Sequence, residues 1–267
     1  MIRASVAGVA GRMGIRVLSL LVKDEGFTVV GALEAPGHPT LGQDAGLAAG
    51  IGETGVKITS SREEAFAGAD GVIDFSVPEA TLENARHLAR EGGKAIVIGT
   101  TGLGPLQTQE LHKTAASLAC VYAPNMSVGV TVMFEAAARL AKLLGEDYDV
   151  EIVEMHHKHK VDAPSGTAMK LATVVAEALS RDLSEVGRFE RHGATGERPP
   201  GEIGIQAVRG GDVVGEHRLF FLGRGERIEL AHVATSRDNF ALGALKALKW
   251  VHGKPPGMYS MKDVLGI

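Results

Sequence analysis

Residues 154–169 read EMHHKHKVDAPSGTAM, which places three histidines and two lysines between positions 156 and 160. The chain as a whole carries a formal charge of −4, so this is a strictly local concentration of titratable cations. His156 and Lys160 stand four apart, a spacing that shares a face on a helix and, being even, on an extended strand. Either geometry lets both act on one ligand, with His157 turned to another side or to another group of that ligand. Crowded cations make one another costlier to ionise, which suits proton transfer near neutral pH. Directly afterwards Ser165, Gly166 and Thr167 open AMKLATVVAEAL, whose Ala168, Leu171, Ala172, Val175 and Leu179 form an apolar helical stripe. The step therefore reads as a helix N-terminus with capping hydroxyls, a place that takes a carboxylate or phosphate.

Other readings compete. A zinc site built from His156, His157 and His159 has awkward adjacent ligands and lysines that repel a cation, so no metal is expected. A solvated basic strand end is the ordinary fate of a charge run. A nucleic-acid contact fits poorly with an acidic whole, and no nucleic-acid partner is expected. Cys120 lies in the apolar run ACVYA with no histidine beside it, so it reads as a buried strand residue and not a nucleophile.

The elements that must position these groups fall into two patterns. From residue 2 to about 123, strand-like runs (2–9, 28–35, 71–77, 95–100, 119–124) alternate with helical segments, among them 79–91 and 106–117. Such alternation predicts a parallel sheet covered on both faces, a Rossmann-like doubly wound α/β unit. In it GVAGRMG places Gly8, Gly11 and Gly14 between a strand and a helix, a tight turn that lets a pyrophosphate approach the backbone at a helix start. Glu34 follows at the end of the second strand, where a carboxylate accepts from ribose hydroxyls. A carboxylate also repels a 2′-phosphate, and APGHP after it offers no Arg or Lys, so NADH is favoured at least as much as NADPH; Arg12 and His38 keep NADPH open.

After PNMS (124–127) the pattern changes to a long helix, a strand over 149–156, and strand runs separated by GG and GRGE turns, read as antiparallel hairpins. The expected second domain is α+β with a mixed or antiparallel open sheet. The domain reading is 1–124 for dinucleotide binding, 125–237 for substrate and oligomerisation, and 238–267 as a closing helix and tail packing back on the first domain. PNMS and SRDNF (236–240) are the expected hinges, and the polar loop 187–204 is long enough to be functional or mobile.

Across 267 residues, 45% hydrophobic and 22% charged, the chain has material for two packed cores. No apolar run approaches the ~20 residues that span a bilayer, so no membrane partner is expected. One cysteine and an N-terminus that runs straight into a strand pattern predict a cytoplasmic location.

Together GVAGRMG (8–14), VIDFS (72–76), GTTG (99–102), APNMS (123–127), HHKHKVDAPSGTA and RHGATGERPPGEIG followed by RGGDVVGEH (191–217) closely resemble the 4-hydroxy-tetrahydrodipicolinate (dihydrodipicolinate) reductase family, nearly end to end. The resemblance implies hydride transfer from NADH and/or NADPH to a small cyclic dicarboxylate with loss of water, in lysine and diaminopimelate synthesis, by a homotetramer. It implies His156 as principal proton donor and acceptor, Lys160 as second donor, and His157, Gly166 and Thr167 as substrate contacts. The cofactor stretches it implies are Gly8, Val9, Ala10, Gly11, Arg12 and Met13, then Glu34, then Gly99, Thr100 and Thr101, then Ala123, Pro124, Asn125 and Met126. Many relatives carry arginine after the acidic residue; here Ala35 stands there, against a strong NADPH preference. The alternatives are another two-domain NAD(P)-dependent dehydrogenase, such as a semialdehyde enzyme using a reactive cysteine, and a dinucleotide-sensing binding protein.

Overall fold

The computed structural model describes residues 1–267 and divides into two compact units, residues 1–128 with 237–267, and residues 129–236. In chain order the elements begin β1 (Ile2–Ala7), α1 (Arg12–Lys23), β2 (Phe27–Leu33), α2 (Ala45–Ala48), β3 (Ile58–Thr59), α3 (Arg62–Phe66), β4 (Gly71–Asp74) and α4 (Pro78–Glu91). They continue through β5 (Ala95–Ile98), α5 (Pro105–Thr114), β6 (Ala119–Tyr122), α6 (Val128–Leu144), β7 (Asp149–His156), α7 (Gly166–Ala178), α8 (Leu183–Val186) and β8 (Gly187–Arg188). The chain closes with β9 (Ile203–Arg209), β10 (Gly215–Leu222), β11 (Arg227–Ala234), α9 (Asp238–Val251), β12 (Gly257–Tyr259) and α10 (Met261–Leu265). No helix is long and apolar enough to cross a membrane.

The first unit is a seven-stranded parallel sheet in the order β12-β6-β5-β4-β1-β2-β3. Strands buried on both faces must be apolar throughout, and β4 and β5 are buried at every position. One face carries Val17, Leu18 and Leu21 of α1 with Ala244, Leu245 and Leu248 of α9; the other carries Leu82, Ala85 and Leu88 of α4 with Leu111 of α5. α9 thus belongs to the first unit's core. Gly71 makes its packing close, since a Cβ there would stand 2.5 Å from Leu248 Cδ1, and Gly243 leaves room for the Met126 carbonyl. Leu242 of the same helix faces out at 54% exposure.

β4 ends at Asp74, short of the run to Val77. The cause is local: the Asp74 carboxylate accepts from the Ser76 N–H at 2.8 Å and its hydroxyl at 2.6 Å, turning the backbone out of the ladder. The edge strands β3 and β12 hold two and three residues, too few to show a period.

The second unit carries a mixed sheet, β11-β10-β7-β9-β8, with Leu171, Ala172 and Val175 of α7 and Met133 and Ala137 of α6 against Val150, Ile152 and Leu219. The GG step is not a hairpin turn. β9 runs parallel to β7, whereas β10 is antiparallel to both β7 and β11, so only the GRGE step closes a hairpin. The segment between β9 and β10 instead passes over the end of β7, where Gly210 N–H donates to the His156 carbonyl and His157 N–H to that of Val213. The loop over 187–204 is tied down by two arginines: Arg191 bonds Glu151 and Glu202, and Arg198 bonds Glu151 and Asp149.

Candidate active site

In the first unit the glycine turn is built as its spacing demands. Gly8 has φ +73°, a left-handed backbone that also brings it against the Phe75 carbonyl, 2.8 Å from where a Cβ would be. Gly14, in the first turn of α1, sits on the Gly8 carbonyl so closely that a Cβ would lie 2.0 Å from it. Gly8 and Val9 N–H both donate to Leu33 O, which fastens the turn to the end of β2. Glu34 closes it: one carboxylate oxygen accepts from Ala10 N–H and the other from Ala35 N–H, both at 2.9 Å. Each oxygen keeps a lone pair for a further donor.

Two clefts open around this turn. One, of about 530 Å³, is lined by Gly8, Gly11, Glu34, His38, Arg62 and Phe75 among others; its neighbour, of about 410 Å³, by Arg12, Met13, Gly99, Thr100, Thr101 and Arg237 with Pro124, Asn125 and Met126. The four stretches named from sequence thus meet at the carboxyl ends of parallel strands, the usual ligand edge of such a sheet. Val9 and Ala123 do not line it; both are core side chains, and only their backbone is available there. Phe75, Arg62 and Arg237 were missed. Arg237 stands inside SRDNF, read only as a hinge; Phe75 stands inside VIDFS, where nothing distinguishes it from a core aromatic.

Beneath the Thr100 turn lies Asp74, wholly buried. Besides Ser76, it accepts from Asn84 Nδ2 at 2.9 Å, and Thr81 donates to Thr100 at 2.8 Å beside it. Burial without a countercharge pushes the Asp74 carboxyl above its ordinary value, against the pull of these neutral donors. Cys120 is also buried, and burial together with the Asp74 charge pushes its thiol up to about 12. It is no thiolate nucleophile, as its apolar run implied.

The second unit's cluster is arranged differently from either geometry considered. β7 ends at His156, and residues 157–160 form a turn in which Lys160 N–H donates to the His157 carbonyl, so neither helical nor strand spacing relates His156 to Lys160. Nor is the cluster bare of anions. Lys160 Nζ donates to both oxygens of Asp162 at 2.7 and 2.9 Å, and this contact holds the Asp162 carboxyl below its ordinary value. His156 Nδ1 donates to Glu154 Oε2 at 2.6 Å. The buried Glu154 side chain also accepts two bonds from Arg209, at 2.8 and 2.7 Å, and one from Ser165 N–H at 2.9 Å. Burial alone would raise the Glu154 carboxyl, but Arg209, His156 and the Ser165 amide together bring it below its usual value.

Ser165 caps α7 as expected, its hydroxyl oxygen accepting from Ala168 N–H at 3.2 Å. That oxygen also lies 3.1 Å from Nε2 of His217, a residue of β10 paired opposite Glu154. His217 is 4% exposed, and its pKa is lowered to about 4 by burial first and by nearby His156 second, so it stays neutral at pH 7. Gly166 has open space where a Cβ would be, and Thr167 follows it in the first turn, whose amides point out of the helix. No group of three or more His, Cys, Asp or Glu side chains is arranged to hold a metal. Glu154 was quoted with the motif yet passed over: two places before His156 it shares a strand face with it, and that spacing was the available signal. Arg209 and His217 stand at the two ends of RGGDVVGEH and drew no role there, because what brings them to Glu154 is strand pairing.

Comparison with known proteins gives a family match for each part of the chain. The family model described as the N-terminus of dihydrodipicolinate reductase matches residues 2–126, and that of its C-terminus matches residues 129–265. The 4-hydroxy-tetrahydrodipicolinate reductases of Geotalea daltonii and an Anaeromyxobacter species are 50% and 52% identical over the whole of this chain, covering 100% and 98% of their own. A dipicolinate-bound dihydrodipicolinate reductase from Paenisporosarcina is 26% identical, with a TM-score of 0.77 over 97% of each chain. An amine dehydrogenase from Mycobacterium smegmatis, 17% identical with a TM-score of 0.60, shares the fold. The nucleotide-binding sheet, the histidine motif and both family models lead to one conclusion: the chain belongs to the dihydrodipicolinate reductase family.

Proposed function

We propose that the chain reduces 4-hydroxy-tetrahydrodipicolinate with NADH or NADPH, yielding tetrahydrodipicolinate and water. The observation that carries this reading is the joining of His156 and the start of α7 on one buried carboxylate, which sets a proton-handling imidazole beside an anion-binding helix end.

The residues of the first unit fit a dinucleotide, since the turn around Gly8 and Gly14 brings bare backbone to the N-terminus of α1 and Glu34 retains acceptor capacity. The bound cofactor supplies hydride. Glu34 holds the adenosine ribose, residues 8–13 face the pyrophosphate, and 99–101 with 123–126 border the nicotinamide end. The absence of a cation at Ala35 supports NADH at least as strongly as NADPH. In the second unit, Gly166 and Thr167 bind one carboxylate of the cyclic substrate through the first turn of α7, and His157 binds the other. His156, its Nδ1 engaged by Glu154, handles the proton at Nε2, and Lys160 serves as second donor once the ligand competes with Asp162 for its ammonium. Residues 125–237 also carry the oligomer contacts in this reading. Val208 and Val233, 40% and 48% exposed on the open sheet, support a homotetramer built there.

The test follows cofactor absorbance with enzymatically generated substrate, first with NADH and then NADPH. Oxidation is expected with both. His156→Ala and Lys160→Ala should each lower kcat about 10²–10⁴-fold with NADH affinity retained. NADH bound but not oxidised would instead mark a dinucleotide-binding protein, and equal loss of turnover and NADH affinity would remove both residues from their assigned roles.

A further inference from the structure

We propose that Glu154 is the positioning residue of this site: its carboxylate fixes the proton of His156 on Nδ1, aims Nε2 at the ligand, and locks that ring to the start of α7. Only the kinetic part of the test rests on the function proposed above.

Three contacts argue for it. First, an ionised carboxylate can only accept, so the 2.6 Å contact to Oε2 puts the ring proton on Nδ1 and leaves Nε2 as the site that gains and loses a proton. Second, the other oxygen, Oε1, accepts from Ser165 N–H at 2.9 Å, so ring and helix start are held on the two arms of one planar group. Third, Arg209 grips both oxygens and donates from Nη2 to the Asp162 carbonyl at 2.6 Å, fixing the carboxylate's plane and fastening the loop that carries Lys160. Glu154 is wholly buried, and His156, Ser165 and Arg209 all bond it at once.

The surroundings make the arrangement selective for one tautomer. The charged and titratable groups around Glu154 and His156 are Arg209 of β9, His217 of β10, His232 of β11, and Lys160 and Asp162 of the loop. His217 meets the His156 ring edge-on at 5.3 Å between centroids, stays neutral, and has its Nε2 on Ser165, so it does not compete for Glu154. Gly215 leaves the far side open: a Cβ there would lie 3.0 Å from His156 Nε2.

Nitrogen NMR of histidine-labelled full-length protein reads the tautomer directly, with the His156 signals assigned by their absence from His156→Ala. With the ring neutral, the expected spectrum has Nδ1 protonated and Nε2 bare; the reverse, read on the wild-type protein, overturns the proposal. In Glu154→Gln the preference for Nδ1 should vanish, and kcat should fall about a hundredfold while substrate KM and NADH affinity stay within about twofold. An unchanged kcat, or a loss shared equally by NADH binding, overturns it. A wild type that oxidises no NADH with this substrate would refute the functional reading, and the spectra would still decide on Glu154.

Discussion

The two units each bury one carboxylate completely near the carboxyl end of a strand that feeds a site, and they treat it in opposite ways. Asp74 meets only neutral donors, among them Ser76, Asn84 and Thr100, and burial raises its carboxyl; Glu154 meets a guanidinium and an imidazole and is held low. Asp74 serves as a strap that shapes the turn from β4 into α4 beneath Thr100. Glu154 is a fixed negative charge held against the His156 ring and the Arg209 guanidinium. The difference shows that burial alone does not decide a carboxylate's role; the charge of its donors does.

The contrast between the two carboxylates is most exposed at Arg209. Arg209→Leu strands the Glu154 charge in the interior and should cost about 3–5 kcal/mol in urea unfolding; an unmoved midpoint would show that the guanidinium is not what keeps Glu154 ionised. At the other carboxylate, Asn84→Ala removes one neutral donor and should cost about 1–3 kcal/mol by the same measurement. A loss exceeding that of Arg209→Leu would invert the ranking.

pH separates the two more finely. The Glu154 carboxyl is held below its usual 4.5, so its contribution to stability is present in full above that value and is lost as pH falls from there through the lowered folded value. Asp74, raised from 3.8, contributes fully below that value, and its contribution drains away as pH rises. The stability gap between wild type and Glu154→Gln should therefore shrink toward acid, and that between wild type and Asp74→Asn should shrink toward neutrality. Gaps of the same slope, measured by denaturant titration across pH, would erase the distinction. The smallest effect is expected at the cap of α7, where Ser165→Ala should cost about 1 kcal/mol in thermal unfolding, with Glu154 still holding the Ser165 amide's place.

Much of this was legible in the chain. β7 begins and ends where alternation puts it, at 149–156, the closing helix α9 opens at 238 as expected, and Ser165 caps α7 as a serine before an apolar stripe should. The glycine turn was legible because a left-handed φ at Gly8 and bare backbone contact at Gly14 are conditions that hardly any other residue meets. Less legible were β3 and β12, whose few residues carry no period, and the GG step, whose role depends on the strand that lies between β9 and β10.

Near neighbours along the chain suffice for alternation along strands, the stripe of α7, the cap, the tight turn, and a motif specific enough to mark the family. Only the tertiary structure decided which charge answers which. Glu154 and Arg209 stand 55 residues apart and meet because β7 and β9 pair in parallel with His156 opposite Arg209, while His217 arrives opposite Glu154 from the antiparallel side. Backbone ladders set those registers, and a ladder joins strands without regard to their distance along the chain.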